Sequence, residues 1–138
     1  MKSIYDTFMT RAISPQMIHK PARQIRIAFG ENVLIGKLND SKTSRELIDL
    51  LPLSIQLTDL FGVQKYVRLP QDLSETGQQV HTFEAGDIAY WAPGPGLSIF
   101  YRQHQAMTDS GLYLIGHIEA GAQLLNFGQY KELNIELI

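Results

Sequence analysis

Arg23-Gln24-Ile25-Arg26-Ile27-Ala28-Phe29 is the stretch that decides the fold. Ile25, Ile27 and Phe29 fall on one side of an extended chain and Gln24, Arg26 and Ala28 on the other, the period-two pattern of a strand with one buried face. Gly30-Glu31-Asn32 supplies a turn, and Asn32-Val33-Leu34-Ile35-Gly36-Lys37-Leu38 returns as a second apolar strand. The two predict a β-hairpin.

Downstream, Asn39-Asp40-Ser41 offers capping side chains, and Thr43 and Glu46 have capping-box spacing. Leu47, Leu50 and Leu51 then line one face before Pro52. This predicts one short amphipathic helix that plugs an end of the sheet. Leu53, Ile55 and Leu57 alternate again, Asp59-Leu60-Phe61-Gly62 turns the chain, and Tyr66-Val67-Arg68-Leu69 is a strand ended by Pro70. Residues 71–79 are polar and predict an exposed loop. Short strands then recur around 87–92, 97–101, 112–118 and 133–138, with a weaker helical turn near 120–125. Many short strands with one or two short helices predict a mostly-β, closed or nearly closed antiparallel barrel.

Upstream of Arg23 the pattern lapses: residues 1–20 show no sustained period and end at His19-Lys20-Pro21. They are expected to form an N-terminal extension outside a barrel domain spanning 21–138, and to be dispensable for folding. Their apolar residues are broken by Asp6 and Arg11, so they do not form the uninterrupted apolar core of a signal peptide.

Composition narrows the function classes. The chain has 138 residues, 44% hydrophobic and 19% charged, which suits one folded domain. A formal net charge of −2, with Lys and Arg scattered singly, gives no footprint for nucleic acid. No segment has the apolar length of a membrane span. With no cysteine, thiolate catalysis, disulfides and Cys-based metal sites are excluded, and a cytoplasmic location is expected.

Few catalytic patterns present themselves. His19, His81, His104 and His117 are not spaced to share a metal from one strand or helix, so no metal site and no cofactor are expected. Ser98 lacks the second glycine of a nucleophile elbow, and Gly94-Pro95-Gly96 is a strand-to-strand turn without the third glycine of a dinucleotide fingerprint. Asp87, after Gly86, reads as a turn cap. The richest cluster is aromatic: Tyr90-Trp91 and Phe100-Tyr101, with Arg102 following. Within each pair, one ring should pack inside and the other should face out. Ile88, Tyr90 and Phe100 are assigned to the inner face, leaving Trp91 and Tyr101 accessible. An outward aromatic near a guanidinium would suit a short peptide or a small carboxylate.

Several segments in order resemble the cyclophilin-like family of small, mostly uncharacterised prokaryotic proteins. They are Leu51-Pro52-Leu53; Asp59 with Gly62 and Lys65; Gly86-Asp87-Ile88-Ala89-Tyr90-Trp91 with Pro93; Ile99-Phe100-Tyr101; and Leu114-Ile115-Gly116-His117-Ile118 with Gly121. The resemblance covers about 25–138. It implies an eight-stranded closed barrel capped by helices, but not prolyl isomerase activity. The Phe-His-Arg type motif of true isomerases is missing, and Lys65, Arg68 or Arg102 would have to stand in for its Arg. The expected function is therefore binding of a small molecule or short peptide, with Trp91, Tyr101, Arg102, Lys65 and His117 as the ligand-binding set. A divergent prolyl isomerase and a self-associating interaction module are the alternatives.

Overall fold

A computed structural model describes residues 23–106, 111–126 and 132–138. β1 (Arg23–Phe29) and β2 (Asn32–Leu38) form the expected hairpin, with Ile25, Ile27, Phe29, Leu34 and Leu38 buried on its inner face. The helix α1 (Lys42–Leu50) follows. Then come β3 (Leu53–Gln56), β4 (Thr58–Leu60), β5 (Gln64–Arg68), β6 (Gln78–Gln79), β7 (Thr82–Phe83), β8 (Asp87–Trp91), β9 (Gly96–Phe100) and β10 (His104–Gln105). β11 (Leu112–Ile118), a 3-10 turn (Ala122–Leu125) and β12 (Glu132–Leu137) complete the described chain.

The main sheet runs β3-β12-β1-β2-β11-β8-β9-β5-β4, every pairing antiparallel, with β6 added on β11. Its two ends are consecutive in sequence. β3 and β4 are separated only by the buried Leu57, so residues 53–60 act as one bent strand that pairs with β12 through its first half and with β5 through its second. Counted in that way, eight strands surround the core and the sheet nearly closes. Edge groups that an open sheet would expose are thereby mostly paired. Among the described residues, no helix is long and apolar enough to cross a membrane.

Several local expectations need revision. Of the expected capping side chains it is Ser41, two residues before Thr43, that caps the helix, its Oγ accepting from the Ser44 N–H at 3.1 Å. Thr43 and Glu46 instead tie down the polar stretch after β5, where Glu46 Oε1 accepts from the Ser74 N–H at 2.7 Å and Thr76 donates its N–H to Thr43 Oγ1 at 3.1 Å. That stretch is not a free loop, since Leu73 is buried in the core. The division of the chain at residues 20 and 21 falls outside the described residues.

The face of β9 is also reversed. In antiparallel ladders, opposed residues share a face. Ile88 opposes Ile99 and Tyr90 opposes Leu97, so these point into the barrel, and Tyr101 continues their side. Ala89, Ser98, Trp91 and Phe100 lie on the outer side. Phe100 is nevertheless fully buried, because the short β7–β10 sheet lays a second layer over it, with Phe83 stacked at 4.3 Å between ring centroids. β9 is thus covered on both faces.

Candidate functional site

The hairpin from β4 to β5 turns through Leu60-Phe61-Gly62-Val63, with the Val63 N–H donating to the Leu60 carbonyl at 3.2 Å. Phe61 and Gly62 both have left-handed backbones, at φ 59° and 68°. Glycine adopts this geometry without strain, whereas a phenylalanine there is strained by about 1–2 kcal/mol. The Phe61 ring is also 86% exposed. Strain and exposed apolar surface coincide at one residue.

Behind this turn, Asp59 and Lys65 oppose each other across the hairpin and face the barrel interior. The Lys65 side chain is 2% exposed, and its Nζ donates to Asp59 Oδ1 at 2.9 Å. Tyr101 donates its hydroxyl to the same oxygen at 2.6 Å, and the Gly62 N–H donates to Asp59 Oδ2 at 3.0 Å. Burial pushes the Asp59 carboxyl upward, but the donors Tyr101, Lys65 and Gly62 outweigh it and hold the group below its ordinary value. The Tyr101 hydroxyl is pushed up to about 12, first by burial and then by the neighbouring Asp59 carboxylate. At neutral pH the phenol is therefore a proton donor and the carboxylate is ionised.

Arg102 completes the corner. Its guanidinium lies 5.9 Å from the Tyr101 ring centroid, and its side chain is exposed. Among the described residues, no carboxylate pairs with it. The Val63 carbonyl accepts from the backbone N–H of both Tyr101 and Arg102, at 3.0 and 3.3 Å. One carbonyl thus fixes the Phe61 turn to the strand end that carries Arg102.

Three of the five expected ligand-binding residues therefore meet here: Lys65, Tyr101 and Arg102. Tyr101 was expected to be accessible but is buried, at 5% exposure, because its strand side faces the barrel. Trp91 stands elsewhere, half-buried on the outer wall with its ring edge-on to Tyr66 at 6.1 Å, near Gly94, whose carbonyl accepts from the Tyr66 hydroxyl. His117 is buried on the outer side opposite Asp87, its Nδ1 2.8 Å from Asp87 Oδ1. A carboxylate only accepts, so Nδ1 carries the proton. Asp87 also caps the preceding turn as expected, Oδ2 accepting from the Glu84 N–H at 2.9 Å.

Asp59 and Phe61 were not singled out as site residues from the sequence. A signal was present: a hairpin centred on Gly62 sets Asp59 opposite Lys65, so the six-residue spacing encodes the ion pair once the register is fixed. Among the described residues, no cluster of three or more metal-ligating side chains occurs.

Comparison with known proteins bears on the fold and the family. No protein of curated function matches the sequence significantly. The solution structure of the hypothetical protein AF2241 from Archaeoglobus fulgidus is similar over 88% of this chain and 100% of that one, with a TM-score of 0.69 and 20% identity, a likeness of fold. The profile described as the cyclophilin-like family matches residues 27–136. That span runs from β1 to β12 and takes in the Asp59, Lys65 and Tyr101 network, and the chain belongs to the cyclophilin-like family.

Proposed function

We propose that this domain is a binding module for a short peptide, and that it takes the peptide's carboxylate at the corner formed by Phe61, Tyr101 and Arg102. The observation that carries this reading is the exposed Arg102 guanidinium, set over the Tyr101 ring and without a carboxylate partner among the described residues. Lys65 offsets Asp59 while Arg102 brings its positive charge to the corner, so an incoming carboxylate meets attraction. Lys65 is turned inward and cannot touch the ligand. Its part is to neutralise Asp59 and keep the Tyr101 ring in place beneath Arg102.

A peptide suits this corner better than a compact small molecule. Small ligands are usually enclosed in concave, largely apolar pockets. Here the barrel centre is filled by side chains such as Phe29, Tyr90 and Ile88, and the corner projects from a hairpin tip. The test is an NMR titration with acetyl-Gly-Gly-Phe as the free acid and as its amide. The acid should shift the amide resonances of Val63 and Arg102, the amide should bind at least tenfold more weakly, and Arg102→Ala should remove the difference. Equal binding of acid and amide would overturn the reading.

A further inference from the structure

We infer that Phe61 is the specificity-determining residue of this corner and selects peptides whose carboxyl-terminal residue is apolar, an inference that rests on the carboxylate reading above. The turn itself does not call for phenylalanine. Its two left-handed positions favour Gly, Asn or Asp, and Gly62 meets that preference while Phe61 does not. The ring gives no packing in return, being 86% exposed. A strained residue that stabilises nothing locally is a marker of function rather than of folding.

The surroundings hold the backbone of this turn in place. Asp59 Oδ2 accepts from the Gly62 N–H, Leu60 from Val63, and Val63 from both Tyr101 and Arg102. The hairpin tip is therefore tied at both flanks, and little backbone entropy remains to be lost when a partner binds. The shared Val63 carbonyl also ties the turn that presents the exposed Phe61 to the strand end that carries Arg102, whose guanidinium has no carboxylate partner among the described residues. A ligand that engages both must carry an apolar group next to its carboxylate. The terminal residue of a peptide has that arrangement, with its side chain and carboxylate on one carbon.

The experiment compares acetyl-Gly-Gly-Phe with acetyl-Gly-Gly-Gly, both as free acids, on the full chain and on two variants. The wild type should prefer the Phe-ended peptide by tenfold or more. Phe61→Asn should erase that preference and at the same time raise the melting temperature by a few degrees, since it relieves the strained backbone. Phe61→Trp should keep the preference. If both peptides bind equally and both depend on Arg102, the carboxylate reading stands and the role of Phe61 is wrong. If neither peptide binds, both fall together. If Phe61→Asn lowers the melting temperature, or leaves the preference intact, Phe61 is not the selecting residue.

Discussion

Lys65 and Asp59 share an ion pair of 2.9 Å in which only the lysine is sealed from water: its side chain is 2% exposed, against 39% for the aspartate. The two halves of the pair should therefore differ in what their loss does. Asp59→Ala takes the paired carboxylate away from a buried ammonium and should destabilise the fold by about 3 kcal/mol. Lys65→Met leaves a carboxylate that still accepts from Tyr101 and Gly62 and can reach solvent, so it should cost about 1 kcal/mol or less. Urea unfolding of the two variants measures both. The reverse order would mean that Lys65 is hydrated in solution.

The same network predicts opposite slopes of stability at the two ends of the pH scale. Asp59 sits below its ordinary value of 3.8, so the unfolded chain holds the proton more tightly. Its contribution is present above pH 3.8 and is lost as pH falls through the lower, folded value. Tyr101 is raised from 10.0 to about 12, so its contribution is complete below pH 10.0 and is lost as pH rises toward 12. Tyr101→Phe should flatten the alkaline limb of a pH–stability curve. It should also remove a component of the tyrosinate absorbance that titrates toward 12.

Strands with one wet face were readable in the sequence, and strands covered on both faces were not. Ile25, Ile27 and Phe29 alternate cleanly with exposed Gln24 and Arg26, so β1 could be placed with its correct inner face. β9 offers no such contrast, because Leu97, Ile99 and Tyr101 fill the barrel while Phe100 fills the second layer under Phe83. With apolar residues on both sides, period two carries no phase. The candidate site was half legible for a related reason. Arg102 and the aromatics stood out by type, but the partners of Lys65 lie on other strands, Asp59 across a hairpin and Tyr101 far along the chain. Register, rather than composition, brings them together.

The two outer-face aromatics of the β8–β9 pair should separate in stability. Phe100 is fully buried between Phe83, stacked at 4.3 Å, and His104, whose ring lies 5.9 Å away. Phe100→Ala should cost about 3–5 kcal/mol. Trp91 is only half-buried, edge-on to Tyr66, and Trp91→Ala should cost about half as much. Thermal unfolding gives the ranking, and quenching of the single tryptophan's fluorescence reports its exposure directly. A Trp91 fluorescence that resists quenching would place that ring in the core.

Two glycines with left-handed backbones should differ sharply in what the same substitution costs, and the contrast checks the packing of Asp87 and His117. At Gly62 the backbone is left-handed at φ 68°, but an added Cβ would meet nothing within 4 Å. Gly62→Ala therefore carries only the conformational penalty, about 1 kcal/mol. Gly86, at φ 100°, is threaded between two strands, its N–H donating to the Phe100 carbonyl at 2.7 Å and its own carbonyl accepting from Ile118 at 2.8 Å. A Cβ there would stand 2.2 Å from the Ile118 carbonyl oxygen and 3.1 Å from Cε1 of the His117 ring. Backbone cannot yield as a flexible side chain can, so β11 would have to move and draw His117 away from Asp87. Gly86→Ala should cost about 3 kcal/mol or more, comparable with the loss of a buried core ring. Calorimetric unfolding of the two variants side by side decides it. If Gly86→Ala unfolds as Gly62→Ala does, the close approach of Gly86 to β11 is wrong, and with it the enclosed setting of the His117–Asp87 pair.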